Sequence, residues 1–118
     1  PNYDAGSVAR AMEVIRGIMP ADSAASRGLI IDCSHGNSGK DEHRQAEVVR
    51  NVAGRIANGE RGITGIMMES FIEGGNQPAA PLDRLVYGKS ITDKCISWPE
   101  TERLLRELAE AVEVRRWR

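Results

Sequence analysis

The chain has no excess of charge of either sign, no long apolar run and few cysteines. It carries 16 Lys and Arg against 17 Asp and Glu, for a formal net charge of −1, so nothing indicates a nucleic-acid or membrane surface. It has no run of about 18 apolar residues and no signal-peptide pattern, which excludes a membrane-spanning helix. Two cysteines are too few for a disulfide framework and are typical of reduced thiols, so we expect a cytoplasmic location.

One stretch, residues 28–40, changes within a few positions from apolar to chemically active side chains. It opens with Leu29-Ile30-Ile31, which predicts a short strand buried on both faces, as in a parallel sheet. Strand alternation places four side chains on one face: Leu29, Ile31, Cys33 and, last, His35. Asp32 would lie on the opposite face. A lone histidine at a strand end is more often simply hydrogen-bonded in a turn, so it needs partners before it indicates a site.

Two later stretches supply such partners. Residues 62–70 form a second apolar run that ends in Glu69, and alternation puts Ile63, Gly65, Met67 and Glu69 on one face. Residues 85–93 follow a long loop and end in Asp93. Since parallel strands end at the same edge of a sheet, His35, Glu69 and Asp93 together predict a site for a divalent metal.

Three helices are predicted: one before the first strand, one between the two strands and one after them. Apolar residues recur at helical spacing in residues 7–19, closed by Pro20 and the polar residues 22–26, and in residues 44–58. Ser97 and Glu100 match a capping box that opens a last helix. Strands and helices therefore alternate, which indicates an α/β fold with a parallel sheet and helices outside it.

Three segments resemble one family in order and spacing: DCSHGNSGK from Asp32, GIMMESFIEGGNQ from Gly65 and YGKSITDKCISW from Tyr87. They are similar to the C-terminal part of the type I DAHP synthases, the 3-deoxy-arabino-heptulosonate-phosphate synthases, also called phospho-2-dehydro-3-deoxyheptonate aldolases. Residues 1–3 also resemble that family, so the likeness runs nearly end to end. It implies a partial (β/α)8 barrel, the last βα units, with about two parallel strands and three helices.

The resemblance also implies an activity. The family condenses phosphoenolpyruvate with erythrose 4-phosphate at a divalent metal, in the shikimate pathway to aromatic amino acids. When the family's site residues are carried over to this sequence, the metal ligands would be His35, Glu69 and Asp93. The resemblance also implies that His35 and Asp93 are catalytic, and that Asp93 accepts a hydrogen bond from a substrate hydroxyl. Lys89 lies close to Asp93 in sequence, and we expect it to bind a substrate phosphate or carboxylate. Imidazole and carboxylate donors suit manganese, iron, cobalt or zinc better than calcium.

The chain departs from the family pattern in one respect. The family's fourth metal ligand is a cysteine from an early barrel strand, which has no counterpart here, and Cys33 does not take its place. Residues that bind phosphoenolpyruvate in the family also come mainly from earlier strands, and 118 residues are fewer than half the roughly 250 of a closed barrel. We therefore expect residues 1–118 to be a single C-terminal segment without a second domain, inactive alone, and either homo-oligomeric or completed by the rest of the barrel.

Two other functions remain open from the sequence. The chain could be a non-catalytic assembly or binding piece, because a partial barrel leaves strand edges and apolar surface unpaired. It could also be an unrelated metal-dependent barrel hydrolase with the same ligand types. Ser38-Gly39-Lys40 stands before a helix, where phosphate loops occur, but the full P-loop pattern is missing.

Overall fold

Helices and strands alternate along the chain, as the sequence predicts. A computed structural model describes residues 1–19 and 28–118, so the predicted closing segment from Pro20 to residue 26 lies outside the described residues. The elements are α1 (Ala5–Ile18), β1 (Leu29–Asp32), α2 (His35–Ser38), α3 (Arg44–Ala57), β2 (Ile63–Met67), a 3-10 helix (Leu82–Arg84) and α4 (Trp98–Arg116). The three long helices and two strands are those predicted; α2 and the 3-10 helix were not.

Side-chain caps set where two of the long helices begin. The Asp4 carboxylate accepts a hydrogen bond from the Ser7 amide at 3.1 Å, so α1 begins at Ala5, two residues earlier than predicted. The Ser97 hydroxyl accepts one from the Glu100 amide at 3.4 Å, as the capping box predicts. Each cap satisfies a backbone donor that the first helical turn leaves unpaired.

The sheet consists of β1 and β2, paired in parallel. Only one of its faces is buried: Ile31 is 5% exposed, whereas Ile30 is 72% exposed. The prediction that β1 is buried on both faces is therefore wrong. The physical reason is that α1, α3 and α4 pack on one face, and no element within residues 1–19 and 28–118 covers the other.

A register shift in the sheet corrects a second prediction. Leu29 pairs with Ile63 but Ile30 pairs with Gly65, so one residue of β2 is skipped between them. Ile63 is buried in the core, whereas a side chain added at Gly65 would meet the exposed Ile30 at 3.4 Å. Ile63 and Gly65 consequently lie on opposite faces, because a bulge of this kind breaks strand alternation.

The core lies between the sheet and the long helices. It brings together apolar side chains of α1, both strands, α3 and α4, among them Val8, Ile31, Val49, Val52, Ile63 and Leu104. These contacts hold the buried face of the sheet against the helices. In the described part of the chain, no helix has the length and apolar character needed to cross a membrane.

Truncating a core leucine should test this packing. Leu104 is fully buried in α4, so Leu104→Ala should lower the free energy of unfolding by about 3 kcal/mol through lost burial and the cavity left behind. Leu82→Ala is the matched control, since Leu82 is 87% exposed and its truncation should change stability by less than about 0.5 kcal/mol. Urea denaturation measures both, and equal losses in the two variants would contradict the core described here.

Candidate metal centre

His35 lies just beyond β1, where the chain turns sharply into α2. The Ser34 amide donates to Asp32 Oδ1 at 2.8 Å, and the Asn37 side-chain amide donates to the Asp32 carbonyl at 2.8 Å. His35 itself has a φ of 46°, in the left-handed region that side chains seldom adopt. This turn carries the imidazole to the Asp32 side of the sheet, with Nδ1 2.9 Å from Asp32 Oδ2.

Two predictions about these side chains are therefore wrong. Alternation placed His35 on the face of Cys33 and opposite Asp32, but the strand ends at Asp32 and alternation stops with it. Cys33 is fully buried in the core, and its burial raises the pKa of the thiol to about 12. In the described part of the chain, the cluster of side chains close enough to hold a metal consists of His35, Glu69 and Asp93 and does not include Cys33.

Glu69 lies two residues beyond β2 and is held from two directions. The fully buried side chain of Gln45 accepts a hydrogen bond from the Glu69 amide at 2.9 Å and donates to the Glu69 carbonyl at 3.3 Å. The Ser34 hydroxyl donates to Glu69 Oε2 at 2.8 Å. The Gln45 contacts fix the main chain to α3 and the Ser34 contact orients the carboxylate, leaving Oε1 free to face His35.

Asp93 reaches the same place from a segment that docks beside the end of β2. The Ile96 amide donates to the Glu69 carbonyl at 3.0 Å, and Cys95 forms an antiparallel bridge with Gly75. The Asn76 side-chain amide donates to the Thr92 carbonyl at 2.8 Å. These contacts hold the backbone on both sides of Asp93, whose side chain is 69% exposed.

The three predicted metal-ligating side chains converge. His35 Nε2 lies 3.2 Å from Glu69 Oε1 and 3.7 Å from Asp93 Oδ2, and one ligand atom from each residue lies within 4.8 Å of the others. The hydrogen bond that His35 donates to the Asp32 carboxylate raises the pKa of His35, and the negative charges of Asp32, Glu69 and Asp93 add to the effect. Three anionic neighbours around one imidazole form a cation-attracting cluster.

The donor set fits a divalent transition metal. One imidazole nitrogen and two carboxylate oxygens are ligands that manganese, iron, cobalt and zinc accept. Asp32 contacts Nδ1 of His35, so Nε2 is the nitrogen that faces the two carboxylates. A carboxylate behind a histidine fixes the tautomer and the ring orientation in known metal sites.

A family model described as the DAHP synthetase I family matches residues 2–106. The chain belongs to this family. It is 47% identical over 116 residues to the Phe-sensitive phospho-2-dehydro-3-deoxyheptonate aldolase of Escherichia coli K12, covering 98% of this chain and 32% of that protein. It is 46% identical over 123 residues to the phospho-2-dehydro-3-deoxyheptonate aldolase of Corynebacterium glutamicum, covering 98% of this chain and 31% of that protein.

A solved structure extends the likeness to the fold. The phospho-2-dehydro-3-deoxyheptonate aldolase of Francisella tularensis matches with a TM-score of 0.84 and 38% identity, over 98% of this chain and 32% of that one. This DAHP synthetase I family chain thus spans about a third of the length of the relatives it matches. Family membership removes the hypothesis of an unrelated hydrolase.

A cavity of about 380 Å³ opens beside the three converging side chains. It is lined by Ser34, His35, Lys40, Glu42, Glu69, Asn76, Thr92, Asp93 and Lys94. Lys89 does not line it, and its side-chain stem lies 3.7 Å from the position a Cβ would take at Gly75. The substrate role of Lys89 therefore stays a prediction, and the lysines that face the cavity of this family chain are Lys40 and Lys94.

Sequence reasoning missed two kinds of residue at this site. Gln45 falls at helical spacing with the buried Val48 and Val49, and a polar residue on the apolar side of a helix is a usable signal of a buried hydrogen bond. Lys94 gave no such signal, because its direction depends on how residues 93–96 dock against the end of β2. Local patterns do not encode that docking.

The contact between Asp32 and His35 gives a pH-dependent prediction. In Asp32→Asn the pKa of His35 should fall toward its ordinary value of about 6.5, because the largest cause of its rise is removed. Since the folded pKa is raised, the stabilisation from this contact is complete below the unfolded value and is lost as pH rises through the folded one. The variant should lose stability at low pH and little above the folded pKa.

Proton NMR of the imidazole ring checks this prediction. His43, the only other histidine, is the internal control, since the carboxylate it contacts is Glu42 and not Asp32. A His35 curve with the same midpoint in both proteins would contradict the proposed orientation of the ring.

Proposed function

We propose that the chain is part of a 3-deoxy-arabino-heptulosonate-phosphate synthase, which condenses phosphoenolpyruvate with erythrose 4-phosphate at a divalent metal. The observation that carries the proposal is the convergence of His35, Glu69 and Asp93 within 4.8 Å. Family membership supports the reaction, because the matched relatives are named phospho-2-dehydro-3-deoxyheptonate aldolases. Residues 1–118 would form one segment of a (β/α)8 barrel, supported by the parallel sheet and the alternating helices.

In this proposal His35, Glu69 and Asp93 hold the metal, which would supply Lewis acidity toward an aldehyde oxygen or a water molecule. Asp32 keeps the His35 ring in place through Nδ1, so that Nε2 presents its lone pair to the site. Ser34 holds one oxygen of Glu69 and leaves the other for the metal. The more exposed Asp93 carboxylate is accessible to a substrate hydroxyl and would accept its hydrogen bond.

A second candidate function follows from the open face of the sheet. Ile30 is 72% exposed there, and the sheet has only two strands in the described part of the chain. Exposed apolar surface beside unpaired strand edges favours association with further strands. The chain would then serve as an assembly piece, completed by the rest of a barrel or by a second copy of itself, with or without catalysis.

Metal binding is the first test of the proposed site. Manganese(II) titrated into the protein, followed by calorimetry or electron paramagnetic resonance, should bind at one site. His35→Ala and Glu69→Gln should each weaken that binding at least about tenfold, since each removes one of three donors. Asp83→Asn is the control, because Asp83 lies on the exposed 3-10 helix away from the site.

Equal affinities in all four proteins would contradict the assignment of the ligands. Asp93→Asn should behave like Glu69→Gln if both carboxylates are ligands. A loss confined to Asp93→Asn would instead indicate a site on the exposed loop that does not involve the strand ends.

Catalysis by the 118-residue chain alone is the second test. We expect no measurable product from phosphoenolpyruvate, erythrose 4-phosphate and manganese, because the family's cysteine ligand has no counterpart in this sequence. A full-length relative assayed in parallel is the positive control. Robust turnover by the chain would refute the expected inactivity while supporting the proposed reaction.

A further inference from the structure

We propose that Gln45 of α3 and Thr101 of α4 are positioning residues that set how tightly the candidate metal centre holds its ion. Both side chains bond to the short stretch just beyond β2, at Glu69 and Ser70. Neither lines the cavity beside the centre, so each acts on the metal only through the residue that it holds. The inference rests on the proposed function for the presence of the metal.

The distribution of buried polar side chains points to this role. Within the described ranges, 1–19 and 28–118, the buried polar side chains are Ser34, Ser38, Gln45 and Thr101. Every one of them has a hydrogen bond to His35, Glu69 or Ser70. Burying a polar group costs free energy that burying an apolar group of the same shape does not. A core built only for stability would not confine its polar groups to this edge of the sheet.

Gln45 pairs with Glu69 in the way that a neighbouring strand would. Its side-chain amide accepts a hydrogen bond from the Glu69 N–H at 2.9 Å and donates one to the Glu69 carbonyl at 3.3 Å. The partner strand has already ended, since β1 stops at Asp32 and its last pair is with Met67. One buried side chain thus replaces the pairing with β1 that residue 69 lacks, and it fixes the point from which the carboxylate extends.

Thr101 holds the next residue to the first turn of α4. Its hydroxyl donates to the Ser97 carbonyl at 2.9 Å. A hydroxyl has one hydrogen to give, so Ser70 is the donor in the contact between the Ser70 and Thr101 hydroxyls. Ser97 is the N-cap of α4, and the pair therefore ties the stretch beyond β2 to the beginning of the helix that follows Asp93.

The stretch beyond β2 also connects the two carboxylate ligands. The Glu69 carbonyl accepts a second hydrogen bond, from the Ile96 amide at 3.0 Å, and Ser70 forms a parallel bridge with Ile96. Ile96 lies three residues after Asp93. A displacement of residues 69 and 70 would therefore move both carboxylates relative to His35. Since each ligand must lie at bonding distance from the same ion, the metal affinity should depend on both positioning residues.

Removal of the Gln45 amide is the first test. Gln45→Met keeps the length of the side chain and removes both hydrogen bonds, so manganese(II) affinity measured by calorimetry should fall about tenfold or more, the usual cost of losing an outer partner of a metal ligand. Val52→Ala is the control for stability, since Val52 is fully buried in α3 and its truncation opens a cavity without removing a hydrogen bond. It should lower the urea midpoint and leave the affinity unchanged.

A double-mutant cycle shows whether Gln45 acts through Glu69. In the Glu69→Gln background the carboxylate ligand is already lost, so Gln45→Met should weaken manganese binding much less there than in the wild-type protein. Equal losses in the two backgrounds would overturn the positioning role. A loss in the wild-type background no greater than that of Val52→Ala would also overturn it.

Two substitutions at Thr101 keep the inference testable if Gln45→Met does not fold. Thr101→Val keeps the shape and removes the hydroxyl, so manganese affinity should fall about fivefold, the effect of one neutral hydrogen bond. Thr101→Ser keeps the hydroxyl and removes the methyl group, so it should retain the wild-type affinity even where stability falls. Affinity that follows the methyl group instead of the hydroxyl would show that Thr101 serves packing alone and would overturn its positioning role.

Failure of this inference is distinguishable from failure of the proposed function. Wild-type protein that binds no manganese would contradict both. Manganese binding that His35→Ala weakens, but that neither Gln45→Met nor Thr101→Val changes, would overturn this inference alone and leave the proposed metal centre intact.

Discussion

Parallel pairing of β1 with β2 is the constraint on which the candidate site depends. The Leu29 amide donates to the Gly62 carbonyl at 2.8 Å and the Cys33 amide to the Met67 carbonyl at 2.9 Å, so both strands end at the same edge. Residues that follow the two strands are therefore brought together although 34 positions separate His35 from Glu69. An antiparallel pair would place their carboxyl ends at opposite edges of the sheet.

Hydrogen bonds from outside the strands convert this proximity into a defined arrangement. Asp32 orients the imidazole, Ser34 orients the Glu69 carboxylate, and Gln45 ties the Glu69 main chain to α3. Gln45 is buried, so its amide would be costly to leave unpaired. The same contacts that satisfy it also hold the residue that follows β2, which links the packing of α3 to the geometry of the site.

The sequence predicts the elements and the three converging residues because both depend on short-range patterns. Apolar runs locate β1 and β2, helical spacing locates α3 and α4, and the position of an ionisable residue at the end of each run indicates the edge where they meet. Side-chain direction was predicted less well. The turn after Asp32 moves His35 to the other face through hydrogen bonds that Asp32 makes with nearby side chains and amides, and strand alternation does not include such contacts. The skipped residue in β2 separates Ile63 from Gly65 and depends on pairing with β1, a distant segment.

The exposure of Ile30, which the sequence pattern did not predict, also depends on parts of the fold outside its own strand. An apolar strand of this kind predicts burial on both faces, but burial requires elements on both sides, and α1, α3 and α4 all pack on one side. The apolar composition of β1 therefore indicates that the strand is suited to burial on both faces. Its observed exposure depends instead on which helices and strands pack against it. The difference between the burial predicted for β1 and its observed exposure is the physical basis for proposing that further strands complete the barrel.

The most direct measurement of the central claim is the anomalous scattering of manganese in a crystal of the protein grown with manganese(II). We predict one strong anomalous peak at bonding distance from His35 Nε2, Glu69 and Asp93, with the Asp32 contact to Nδ1 retained. A peak elsewhere, or a His35 ring turned away from both carboxylates in crystals that contain bound manganese, would contradict the account.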